Sequence, residues 1–199
     1  LHQQYIASMQ TAFIDDLIAR IEAGGAVALP FYSPMLEAGT LDPARLARFD
    51  ASGRQIDGDP PTKEMALHPA VNDTRAGAGA VVHLHSCHSV ALSTLPVDDP
   101  ENWLPPVTPY AVMQLGKVTL LPYFRPGDAA MGDAVRGLNG KRAAVMLANH
   151  GPVVAGLTPE AACNAVEELE ATARLALMLR GLPARMLDGP QIADLTRAY

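Results

Sequence analysis

Ala80-Val81-Val82-His83-Leu84-His85 is the stretch on which the fold is read, and it follows a break at Arg75-Ala76-Gly77. Its β-branched, apolar character predicts a strand. Side chains alternate along a strand, so His83 and His85 would project from one face as a ready-made chelate pair. A charge-poor strand with two inward imidazoles must give those polar groups partners, which favours ligation over idle burial.

Working outward, residues 118–123 read as a second strand and residues 128–138 as a helix capped by Asp128. Residues 143–148 read as a buried strand. Thr158-Pro159-Glu160 is a helix start with a cap and an N1 proline, and Ala162, Val166, Leu169, Ala173 and Ala176 mark its apolar stripe. Arg180-Gly181-Leu182-Pro183 stops it. Upstream, Thr62 is expected to cap a helix with Lys63 and Glu64 in its first turn, running to about Asn72. Asp50-Ala51-Ser52-Gly53-Arg54 predicts a hairpin turn before Ile56, and Leu41-Asp42-Pro43 a helical turn. Ile6, Met9, Phe13, Leu17 and Ile21 predict an amphipathic helix ended by Gly24 and Gly25; residues 26–29 read as a short strand and residues 30–40 as loop.

Strands alternating with helices predict a layered α/β fold, a central mixed or antiparallel sheet covered by helices, in a single domain over residues 1–199. The connection lengths around Gly53 and Gly140 admit both hairpins and crossovers.

At 199 residues the chain fits one sizeable core, with 49% hydrophobic and 18% charged residues. The net charge of -6 offers no broad basic face to a phosphate backbone, so nucleic acid is not expected as a partner. Cys87 and Cys163, the two cysteines, lack metal-ligand spacing and support no disulfide framework, which fits a reducing cytoplasm. Gln3, Gln4, Asp15 and Asp16 interrupt the first apolar segment, which does not read as a signal peptide. No run approaches the roughly 20 apolar residues of a membrane span.

His150 follows the strand at 143–148 and precedes Gly151-Pro152, where a strand ends in a turn. Together with His83 and His85 it would supply three neutral imidazoles. That set suits zinc or another first-row divalent ion and leaves a position for water or substrate. His2, His68 and His88 are read as non-ligands. A Glu in a first helical turn is favoured by the helix dipole alone, so Glu64 needs the histidines beside it to count as functional. Thr62 and Lys63 at a helix start would form an anion cradle, and Glu167, Glu168 and Glu170 read as a solvated helix face without chemistry.

Taken together, Pro61-Thr62-Lys63-Glu64, Ala80-Val81-Val82-His83-Leu84-His85-Ser86 and Leu147-Ala148-Asn149-His150-Gly151 resemble the class II aldolase/adducin family in order and spacing. The similarity spans about residues 41–195. Its closer wording is similar to the branch that decarboxylates 3-oxo-tetronate 4-phosphates. The resemblance implies an α/β/α fold and a zinc site with His83, His85 and His150 as ligands and Glu64 as the acid/base. It further implies Tyr110 as an aid to proton transfer, and Thr62, Lys63 and Ser33 as contacts to substrate phosphate. Residues 1–40 depart from the family: its Gly-Asn loop and Thr-Pro turn are not matched, apart from a partial Ser33-Pro34, so this part is read as divergent or incomplete.

The activity so implied is that of a zinc-dependent carbon-carbon lyase (EC 4.1) forming dihydroxyacetone phosphate and carbon dioxide. Alternatives are a sugar-phosphate aldolase of the fuculose-1-phosphate type, a ribulose-5-phosphate 4-epimerase, and a non-catalytic adducin-like binding module. The resemblance also implies a phosphorylated sugar or sugar-acid substrate, a homotetramer and a cytoplasmic protein.

Overall fold

The computed structural model describes residues 47–50 and 52–198. The helix at residues 3–23, the strand at 26–29, the loop with Ser33 and the turn at Leu41 lie outside them.

Two short strands, β1 (Arg48–Phe49) and β2 (Gln55–Asp57), pair antiparallel around the expected turn. Asp50 stabilises it by accepting from the Ser52 and Arg54 amides at 2.9 and 3.0 Å. The core sheet has four strands: β3 (Ala80–His83), β4 (Thr119–Leu121), β5 (Ala144–Leu147) and β6 (Gly151–Gly156), in the order β3-β6-β5-β4. β6 runs antiparallel to both β3 and β5, and β4 runs parallel to β5. The sheet is mixed for a topological reason: β5 returns into β6 through the tight Ala148–His150 turn, whereas β4 reaches β5 by a crossover through a helix.

Helices α1 (Leu67–Thr74) and α4 (Ala130–Gly137) lie on one face, and α2 (Cys87–Ser93), α3 (Pro109–Leu115) and α5 (Pro159–Leu179) are packed on the other, with α6 (Gly189–Ala198) against α3. Each face has its own core. Leu67, Val71, Val81, Met131, Val145, Leu147 and Val153 fill the first; Val82, Val118, Met146, Val154, Val166 and Leu169 fill the second. Alternate residues of β3, β5 and β6 thus feed opposite layers, which makes β5 and β6 apolar throughout and β3 apolar up to His83.

Thr158 caps α5 by accepting from the Ala161 amide at 3.1 Å, with Pro159 behind it. Its expected stripe is buried from Ala162 to Ala176. The small stripe residues let α5 come close: a Cβ on Gly156 of β6 would lie 2.8 Å from the Ala162 Cα.

Three expectations shift. The helix expected from Thr62 begins at Leu67, and residues 63–66 form successive turns closed by bonds such as Leu67 N–H to the Glu64 carbonyl at 3.1 Å. β3 ends at His83, so His85 lies past the strand. The helix expected from Asp128 begins at Ala130, with the Asp128 carboxylate accepting from the Ala130 amide at 3.0 Å. Among the described residues, no helix is long and apolar enough to cross a membrane.

Candidate metal centre

Glu64, His83, His85 and His150 converge, each offering one ligand atom, with all four atoms within 4.8 Å of one another. Each comes from a different local structure. Glu64 is presented by the turns before α1, His83 by the last residue of β3, His85 by the extended link to α2, and His150 by the turn between β5 and β6. That turn is tight because Asn149 takes a left-handed φ of 59°, a conformation asparagine tolerates better than most residues.

The antiparallel β3–β6 ladder pairs His83 with Val153 and so brings the end of β3 to the start of β6. Leu84 N–H donates to the Pro152 carbonyl at 3.3 Å and extends that contact beyond the strand. Gly151 is required at the crossing, since a Cβ there would strike the Leu84 carbonyl and lie 3.2 Å from the His85 ring. The chelate pair therefore arises from a strand end and its continuation, not from two positions on one strand.

Glu64 Oε1 lies 2.8 Å from His150 Nε2, and Oε2 lies 3.2 Å from His83 Nε2 and 3.8 Å from His85 Nε2. His85 and His150 face each other at 3.1 Å between Nε2 atoms. Ligand atoms placed about 2.0–2.1 Å from a tetrahedral ion stand roughly 3.3 Å apart, and these separations fall around that figure.

Contact with His83 is the main cause that draws the Glu64 carboxyl down to about 2, against burial, which pushes it up. Burial lowers His85 and His150 below the ordinary imidazole value. Neutral rings beside an ionised carboxylate are the protonation states that metal ligands require. His83 Nε2 is buried without a hydrogen-bond partner among the described residues, although Glu64 is 3.2 Å away. A cation between the two, a proton or a metal ion, satisfies both. The residues present fit a divalent ion.

The cluster opens on a cleft of about 450 Å³ lined by His85, Cys87, Val90, Ala91, Asn149 and His150. Thr62 and Lys63 adjoin Glu64, with Thr62 Oγ1 accepting from the Glu64 amide at 3.3 Å. Tyr110 is 63% exposed at the start of α3, and among the described residues no hydrogen bond or ring contact ties it to the histidines. Ser33 lies outside the described residues. His68 is buried in α1 and is not among the converging ligand atoms. His88 pairs instead with Glu170.

The late glutamates correct the expectation of a solvated face. Glu170 accepts four hydrogen bonds from His88 and Ser89 of α2, and Glu168 accepts from Thr108 and Thr172. No sequence spacing could have flagged this, because the Glu170 partners lie 81 and 82 positions away.

Residues 33–177 match the family model of the class II aldolase and adducin N-terminal domain. A 3-oxo-tetronate 4-phosphate decarboxylase of Escherichia coli O6:H1 is 45% identical over 157 residues, which are 79% of this chain and 74% of that protein. Its counterpart in Pectobacterium atrosepticum is 40% identical over 186 residues, covering 94% and 84%. The solved structure of Escherichia coli YgbL superposes with a TM-score of 0.78 at 35% identity, covering 98% of this chain and 99% of that one. Fold, motif order and these likenesses agree: the chain belongs to the class II aldolase and adducin family.

Proposed function

We propose that the chain decarboxylates 3-oxo-tetronate 4-phosphate to dihydroxyacetone phosphate and carbon dioxide, with a zinc ion held by His83, His85 and His150. The observation that carries this reading is the convergence of three imidazole nitrogens and the Glu64 carboxylate at an open cleft. The names of relatives at 38–45% identity support the choice of substrate. A bound divalent ion supplies a Lewis acid that polarises the 3-oxo group and an adjacent hydroxyl.

The chain's own groups do the rest. When the carboxylate leaves as carbon dioxide, the electron pair of the broken bond stays on the neighbouring carbon, which must take up a proton. Glu64 is the acid/base placed for that transfer, and Tyr110 assists it. Tyr110 is exposed on α3, and in this reading it reaches substrate in the cleft of a neighbouring copy within a homotetramer. Thr62, Lys63 and Ser33 hold the phosphate, with Lys63 as the cation. A single domain over residues 1–199 and a cytoplasmic location complete the reading.

The test is direct. Purified, metal-loaded protein is expected to release carbon dioxide from 3-oxo-tetronate 4-phosphate. Aldehyde formation from fuculose- or ribulose-type phosphates without carbon dioxide release would replace this reading with the aldolase one. Absence of any bound divalent ion would favour the adducin-like module.

A further inference from the structure

Helix α2 joins two parts of the candidate centre. It begins two positions after His85, and Cys87, Val90 and Ala91 on it line the cleft. Its N-cap residue, Ser86, makes no side-chain cap bond to it. The cap comes from α5. Glu170 Oε1 accepts from the His88 amide at 2.8 Å and from His88 Nδ1 at 2.7 Å; Oε2 accepts from the Ser89 amide at 2.9 Å and from Ser89 Oγ at 2.6 Å.

This is more than a helix end requires. One oxygen on one amide would cap the helix, yet here a side chain only 17% exposed engages two amides, an imidazole and a hydroxyl. Burial opposes the charge on Glu170, and the hydrogen bonds from Ser89 and His88 outweigh it, so its pKa is lowered. At the far end of α2, the Ser93 hydroxyl donates to the Val90 carbonyl at 2.7 Å and accepts from the Asn149 amide at 3.0 Å. Asn149 immediately precedes His150. One end of α2 is therefore fastened beside His85 and the other beside His150.

We infer that Glu170 is a positioning residue of the centre: by clamping the first turn of α2 to α5 it holds His85, and through Ser93 the His150 turn, at ligand distance from Glu64. The inference rests on the metal reading above. Groups that orient ligands without touching the ion typically account for about 10–100-fold in metal affinity.

The test uses the full chain and zinc, with affinity measured by chelator competition and coordination by the visible spectrum of the cobalt-loaded protein. In Glu170→Gln the amide keeps the shape but turns an NH2 donor toward groups that themselves donate, which breaks one pair of bonds. Zinc affinity is expected to fall about 10-fold or more, with an altered cobalt spectrum. Ser89→Ala removes the 2.6 Å bond to Glu170 and the long 3.5 Å one from Ser86 Oγ, should leave the fold intact and is expected to weaken zinc several-fold. Thr158→Ala removes the cap of α5 itself and serves as control, with a lower melting temperature and unchanged zinc affinity.

Zinc affinities of Glu170→Gln and Ser89→Ala equal to wild type would overturn the inference while leaving the metal reading standing. So would a loss of zinc affinity in Thr158→Ala that matches theirs at equal destabilisation. A wild-type protein that takes up no zinc or cobalt overturns the metal reading, and this inference with it.

Discussion

His83 donates from Nδ1 to the Pro152 carbonyl at 2.9 Å, a bond that crosses from the end of β3 to the start of β6. A carbonyl oxygen can only accept, so the proton of the neutral ring sits on Nδ1 and the Nε2 lone pair is turned toward Glu64. The strand pairing thereby selects the tautomer suited to ligation before any ion arrives.

His83→Ala removes that pre-oriented donor at a buried position. Zinc content of the purified protein is expected to drop to background, with affinity down on the order of 100-fold or more, beyond the effect of losing an orienting partner alone. Metal analysis by mass spectrometry, paired with carbon dioxide release, checks it. Full metal content in the variant would remove His83 from the ligand set.

Glu64→Gln keeps the size of the side chain while removing its charge and its capacity to carry a proton. A general acid/base contributes typically 10²–10⁴-fold, so the rate of carbon dioxide release is expected to fall by about that factor. Zinc affinity should fall less than in His83→Ala. Near-normal turnover with bound zinc would assign the proton transfer elsewhere, with Tyr110 the first group to try.

His68 sets a pH dependence in the metal-free protein. Burial is the main cause that lowers it from its ordinary 6.5 to about 4, in a side chain only 2% exposed. Above the ordinary value both folded and unfolded forms are neutral, and the group contributes no pH dependence. As pH falls toward 4 the unfolded chain takes up a proton that the folded chain refuses, so stability is lost on acidification, by about 3 kcal/mol at most. Urea midpoints of chelator-treated protein between pH 7 and 4 should therefore fall more steeply for wild type than for His68→Leu. Parallel curves would show that His68 titrates normally.

Gly151→Ala tests the close crossing beneath the centre. The new methyl would strike the Leu84 carbonyl, so β6 or the Leu84–His85 link must move. Overpacking of this kind costs about 1–3 kcal/mol, and here the displacement falls on His85, one of the proposed ligands. A lower melting temperature together with weakened zinc binding is expected. Loss of stability at unchanged zinc affinity would mean that β6, not His85, gives way.

Much of the fold was legible where local chemistry and tertiary environment coincide. Thr158-Pro159 followed by an alanine-rich stripe marks α5 because cap, N1 proline and apolar period are all local signals. The continuous apolar run of β5 reads as a strand because both its faces are covered. β6 went unread since Gly151-Pro152 opens it like a turn, and proline is unusual in a strand flanked on both sides. Its amide is not missed, because the Pro152 carbonyl is what the structure uses, accepting from both Leu84 and His83. α2 also escaped, for its seven residues Cys87–Ser93 carry no apolar period and no cap of their own.

By itself the sequence determined which groups are available for chemistry: a His-x-His in a strand-like run, a His-Gly after a second such run, and a Glu beside a capping Thr, in the order of the class II aldolase and adducin family. Residue type and short-range period carry that information, since they act within a few positions. Only the tertiary structure decided that Glu64 closes on three imidazoles, that Pro152 selects the His83 tautomer, and that Glu170 fastens the helix between His85 and His150. Those relations join residues up to 86 positions apart, Glu64 with His150 among them. Their distances follow from how the sheet pairs and how α5 packs across it, and no local pattern encodes that path.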